Sequence, residues 1–99
     1  MSKINIHKLN KAFENRVRLG MMSVLMVNDS MDFNSLKDLL QVTDGNLASH
    51  AAALEKEGLI HIKNEILNKK TLTTYSATKP GIKAFEEHLD ALEKLIKGK

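Results

Sequence analysis

A chain of 99 residues with 42% hydrophobic content and no cysteine is sized for one compact domain, and it excludes disulfides, thiolate metal sites and cysteine nucleophiles. No apolar run is long enough to span a bilayer, and the opening MSKINIHKLNKAF is broken by charge as a secretory signal is not, so a cytoplasmic protein without a membrane partner is expected. The net charge of +3 is modest but unevenly spread: residues 1–20 and 59–83 each carry a net +4, residues 29–57 carry −4 and residues 84–99 carry −1.

From Leu9 to Val27, apolar residues recur at helical spacing, and Asn15 can cap a second segment, so one bent helix or two is expected. Gly20 within this run suggests a close helix–helix approach. Asn28-Asp29-Ser30 ends it, and Asp32-Phe33-Asn34 reads as extended. Asn34 or Ser35 can cap a helix over Ser35–Gln41, with Ser35 and Asp38 spaced as a capping box and Leu36, Leu39 and Leu40 as its buried side. Thr43 is a good cap for a third helix over Asp44–Glu57, in which Leu47, Ala51 and Leu54 form a narrow buried stripe and Gly58 stands where a C′ glycine belongs.

After Gly58 the hydrophobic period falls from about 3.6 to 2. Leu59–Asn64 and Leu72–Ala77 alternate, and the polar turn Leu67-Asn68-Lys69-Lys70 lies between them, giving an antiparallel hairpin with a basic tip. Thr78 caps a final helix whose Pro80 falls in the first turn, where no amide donor is needed. Ile82, Phe85, Leu89, Leu92 and Ile96 form its apolar stripe. The expected fold is therefore mainly α with a small β-hairpin, a three-helix core with a wing and a long C-terminal helix.

The residues Thr43-x-Gly45-Asn46-Leu47-x-x-His50, then Leu54-Glu55-Lys56-Glu57-Gly58-Leu59-Ile60, the hairpin, and Thr78-Lys79-Pro80-Gly81 resemble small winged helix-turn-helix regulators of the MarR and ArsR types. Arg16-Val17-Arg18-Leu19 is similar to the same group, and the resemblance covers about residues 8–96. It implies a single DNA-binding domain over 1–99. The recognition helix (about 44–57) would enter the major groove, the wing (about 59–77) would lie on the adjacent backbone, and the C-terminal helix (about 79–97) would build a homodimer.

Mapped onto this chain, the groove-facing positions are Thr43, Gly45, Asn46, Ala48, Ser49, Ala52 and Ala53, with His50 between them and the buried stripe. Asn46 suits an adenine edge, and Ser49 a base or phosphate. This face carries no Arg or Lys, and Asp44 would meet phosphate. Affinity is therefore expected mainly from Lys63, Lys69 and Lys70 of the wing, with Arg16 or Arg18 adding to it.

Lys69-Lys70 also reads as a solvated turn, and Asn46 as a local hydrogen-bonding residue. The dimer interface is expected from Leu9, Phe13, Phe85, Leu89, Leu92 and Ile96, since so short a chain cannot bury both terminal apolar stripes. His88, Asp90 and Glu93 invite a metal reading, but positions 88 and 90 diverge by about 200° on a helix, so no metal and no cofactor is expected. No phosphate loop or nucleophile–base pair is visible, so neither a catalytic residue nor an enzyme is expected. The alternative function is a winged-helix protein–protein interaction module, an adaptor or antirepressor. Any small-molecule effector would have to sit at the dimer interface.

Overall fold

The computed structural model describes residues 5–98; Lys3 and Lys99, counted in the charge distribution, lie outside the described residues. The Leu9–Val27 stretch, expected as one bent helix or two, divides into two pieces at Asn15, which caps the second as read, and a further turn precedes it. Single 3-10 turns at Ile6–Lys8 and Lys11–Phe13 precede helix α1, Arg16–Met26. The cause is a cap every five residues: the side chains of Asn5, Asn10 and Asn15 accept amides of His7, of Ala12, and of Val17 and Arg18. Asn10 and Asn15 each offer the backbone a local partner that stops the preceding turn from propagating.

Strand β1 is only Met31–Asp32, and helix α2 is Phe33–Leu40. Neither Asn34 nor Ser35 caps α2. The Asp32 carboxylate takes that role, accepting the Ser35 amide at 3.0 Å, and hydrogen bonding from Ser35 holds its carboxyl below the ordinary aspartate value. Gln41 closes α2 in the left-handed conformation with φ 55°. Leu36 is fully buried and Leu40 partly so, whereas Leu39, expected inside, is 59% exposed; it lies off the stripe that faces α1. The glycine expected to permit close approach does so: a Cβ at Gly20 would stand 3.0 Å from Leu40 Cδ2.

Helix α3, Asp44–Lys56, starts as read, with Thr43 Oγ1 accepting the Asn46 amide at 3.1 Å. Leu47, Ala51 and Leu54 are each 0% exposed. Gly58 adopts φ +76°, and the Leu59 amide reaches back to the Leu54 carbonyl, a Schellman closure. Strands β2 (Ile60–Leu67) and β3 (Lys70–Ala77) are longer than expected. The turn shrinks to Asn68-Lys69, both at positive φ, which matches the right-handed strand twist. β1 adds to β3, so the hairpin belongs to a three-stranded antiparallel sheet of order β1-β3-β2, with Met31 opposite Tyr75.

Helix α4, Lys79–Lys97, is locked to the base of the hairpin. The Thr78 hydroxyl accepts the Gly81 amide and donates to the Gly58 carbonyl at 2.6 Å. Gly81 lies so close to the chain entering β2 that a Cβ would fall 1.9 Å from the Leu59 carbonyl oxygen. The core is Phe13, Met21, Met22, Leu36, Leu47, Leu54, Ile60 and Phe85. Phe13 and Phe85 meet edge to face at 5.0 Å. His88, 4% exposed, packs on Phe13 and accepts the Asn10 amide on Nδ1 at 2.9 Å, pinning the N-terminal turns to α4. Burial pushes its imidazole below the ordinary value, with Glu14 opposing. The tip of the hairpin and the last turns of α4 reach beyond this core, in a molecule 61 × 25 × 21 Å.

Candidate nucleic-acid interface

A helix that buries only a narrow stripe leaves the rest of its circumference to solvent. With Leu47, Ala51 and Leu54 inward, α3 exposes Thr43, Gly45, Asn46, Ala48, Ser49 and Ala52, while His50 and Ala53 are half-buried. The exposed side chains are small, so the helix axis can approach a partner closely. Asn46 and Thr43 also line a cleft of about 780 Å³ between α1, α2 and the start of α3, together with Arg16, Lys37 and Gln41. This brings Arg16 beside the α3 positions read from sequence.

The charge problem at Asp44 has a local answer. Lys37 of α2 places Nζ 2.8 Å from Asp44 Oδ1, and that contact holds the lysine above its ordinary value. The start of α3 therefore presents no uncompensated carboxylate to an incoming anion. Sequence reading missed Lys37, because the contact depends on how α2 and α3 pack. It also missed the pairing of His50 with α1, where Arg18 Nε donates to His50 Nδ1 at 3.0 Å. The partners are 32 residues apart, and no local pattern announces them.

At the hairpin, Lys69 and Lys70 are exposed at the tip, and neither forms an ion pair among the described residues. Lys63 lies on the same strand face as Glu65, with Nζ 3.6 Å from its Oε1. That pair is solvent-exposed, so it contributes little and separates easily. Ile66 is 78% and Leu67 51% exposed beside the basic tip.

The residues read as a dimer interface fall into two groups. Phe13 and Phe85 are each 2% exposed and are satisfied by one another within the chain. Leu9 and Leu92 are half-buried, whereas Leu89 is 44% and Ile96 83% exposed along α4. The three α4 residues weighed as metal ligands are not brought together: His88 accepts from Asn10, Asp90 pairs with Lys94 and Glu93 with Lys97. Among the described residues no helix is long and apolar enough to cross a membrane.

The model of a winged helix DNA-binding domain matches residues 17–96, from α1 nearly to the end of α4. The chain belongs to that family. An uncharacterized protein of Methanocaldococcus jannaschii is 31% identical over 87 residues, 88% of this chain and 95% of that protein. Among solved structures, a transcriptional regulator homologue from Pyrococcus horikoshii superposes with a TM-score of 0.83 at 31% identity, covering 88% of this chain and 86% of that one. The fold is also that of S. aureus MepR, solved as a DNA complex, with a TM-score of 0.73 at 18% identity over 93% of this chain and 75% of that one. The expected winged helix-turn-helix architecture is thus established. The family is that of a DNA-binding regulator.

Proposed function

We propose that this winged helix protein regulates transcription by binding specific double-stranded DNA as a homodimer, with α3 in the major groove and the β2–β3 wing on the flanking backbone. The observation that carries the reading is the α3 surface. Thr43, Gly45, Asn46, Ala48, Ser49 and Ala52 form a slim exposed face, the acid at its start, Asp44, is paired with Lys37, and a hairpin tipped by Lys69 and Lys70 projects from the same unit. Asn46 and Ser49 are the base-reading candidates, and Lys63, Lys69 and Lys70 take phosphates. MepR, a relative in fold, was solved bound to DNA.

Pairing rests on α4. Leu89, Leu92 and Ile96 continue the apolar stripe past the point where the core covers it, and Ile6 and Leu9 lie on the N-terminal turns that pack against the same helix. A second copy would cover this strip and set two α3 helices a helical turn of DNA apart, about 34–36 Å.

A second reading, docking on protein without DNA, is favoured by the absence of any Arg or Lys on α3 between Asp44 and Ala53. Selection of bound fragments from random duplexes separates the two. DNA regulation predicts an enriched two-fold motif with half-sites one turn apart, lost in Lys69→Glu/Lys70→Glu. Recovery of no motif, together with an 11.1 kDa monomer in light scattering, would overturn the proposal.

A further inference from the structure

Over Asp44–Ala53 the recognition helix carries no cation, its one lysine, Lys56, standing in the last turn, yet an arginine is held against the flank of its first turns. Arg18 belongs to α1, and its amide is fixed by the Asn15 cap at 3.2 Å. Its side chain reaches α3, where Nε donates to His50 Nδ1 at 3.0 Å, both residues being half-buried. A guanidinium has donors and no acceptor, so the direction of this bond is fixed and Nδ1 carries no proton. The ring proton then sits on Nε2, on the far side of the imidazole.

The bond occupies only Nε. The two terminal amino groups of Arg18 remain, and no carboxylate pairs with them among the described residues. His50 follows Asn46 by one turn of α3, and Asn46 shares its cleft with Arg16. The pair therefore lies beside the α3 positions read as base contacts, on the side facing α1. There, fixed N–H donors and an unneutralised positive charge coincide.

We propose that Arg18 and His50 form a phosphate-gripping pair at the flank of α3. Arg18 contacts a backbone phosphodiester, and His50 is the positioning residue that aims the guanidinium. The proposal rests on the DNA-binding reading and adds to it a contact delivered by α1 instead of the wing. It also explains how an α3 face with no cation before Lys56 works: the charge comes from behind the helix, leaving Gly45, Ala48 and Ala52 free to approach the groove.

The experiment measures binding of the wild-type chain and three variants to a duplex of random sequence over a range of salt, with urea unfolding of each as a check on folding. Removing one phosphate contact per protomer by Arg18→Gln should flatten the log–log salt slope by about 2 in a dimer. His50→Leu keeps the charge but frees the arginine, so affinity should drop about tenfold with little change of slope, since an unheld side chain must be ordered on binding. His50→Gln, whose amide oxygen can accept from Nε, should restore most of that loss. A structural role alone would move stability and affinity together and would not separate the leucine and glutamine variants by slope and rescue. If the wild type binds with a steep slope and folded Arg18→Gln has the same slope, the pair is not a phosphate site although the DNA reading stands. If the wild type shows no salt-dependent binding, both fall.

Discussion

Counterion release converts the wing into a number. Lys63, Lys69 and Lys70 are exposed on each copy, so a dimer that lays both wings on DNA neutralises about six phosphates through them, and the wings contribute about −5 to the slope of log K against log salt. Between 50 and 200 mM salt that is a loss of roughly 10³ in affinity. Replacing Lys69 and Lys70 by glutamine in both copies leaves the two Lys63 contacts, and the wing's share of the slope should relax to about −2. Lys63 brings a built-in control, because Glu65 already neutralises part of it at 3.6 Å. If that ion pair survives binding, the wing's share in the wild type is nearer −4, and Glu65→Gln steepens it. Fluorescence anisotropy with a labelled duplex at several salt concentrations supplies the slopes. Equal slopes for the wild type and the double glutamine variant would refute the claim that the wing tip touches phosphate.

Three further predictions follow from single contacts. Gly81→Ala pushes a methyl group to 1.9 Å from the Leu59 carbonyl oxygen, so α4 must shift from β2; urea unfolding should show a loss of about 3 kcal/mol or more, and an unchanged midpoint would mean the junction is not tight. Lys37→Ala exposes Asp44 to DNA and should weaken binding severalfold at low salt, with the loss fading as salt rises; adding Asp44→Asn should recover it, and failure to do so would show that Lys37 acts elsewhere. Because burial lowers the folded-state value of His88 below the unfolded one near 6.5, the unfolded chain binds more protons in that window. Stability is then full above about pH 6.5 and declines as the pH falls through the folded value; His88→Gln should flatten that decline in urea titrations.

What the sequence made legible was whatever depends on neighbours in the chain. Thr43 and Thr78 cap through amides three positions on, Gly58 closes α3 through its own positive φ, and all three stand where they were read. The α3 stripe is equally local, since Leu47, Ala51 and Leu54 need only the helical period to be recognised. Reading failed where two local solutions competed. Asp32, Asn34 and Ser35 are all capping residues within four positions, and burial of Phe33 against Tyr75 favours starting α2 at Phe33 with Asp32 as its cap. It failed again where packing assigns the partner. Nothing near Phe13 or Phe85 in the chain says that each covers the other, nor that Arg18 will meet His50 and Lys37 will meet Asp44. The fold could thus be read almost whole. The candidate interface was read as a set of positions on α3 and the wing, without the α1 and α2 side chains that set its charge.

The most direct test of the central claim is an amide chemical-shift titration of the ¹⁵N-labelled protein with a duplex recovered by selection. The account predicts shifts concentrated on Thr43–Ala53 and on Asn68, Lys69 and Lys70, with Leu89–Ile96 of α4 unmoved because the second copy already covers it. Shifts confined to α4 with α3 silent would contradict it.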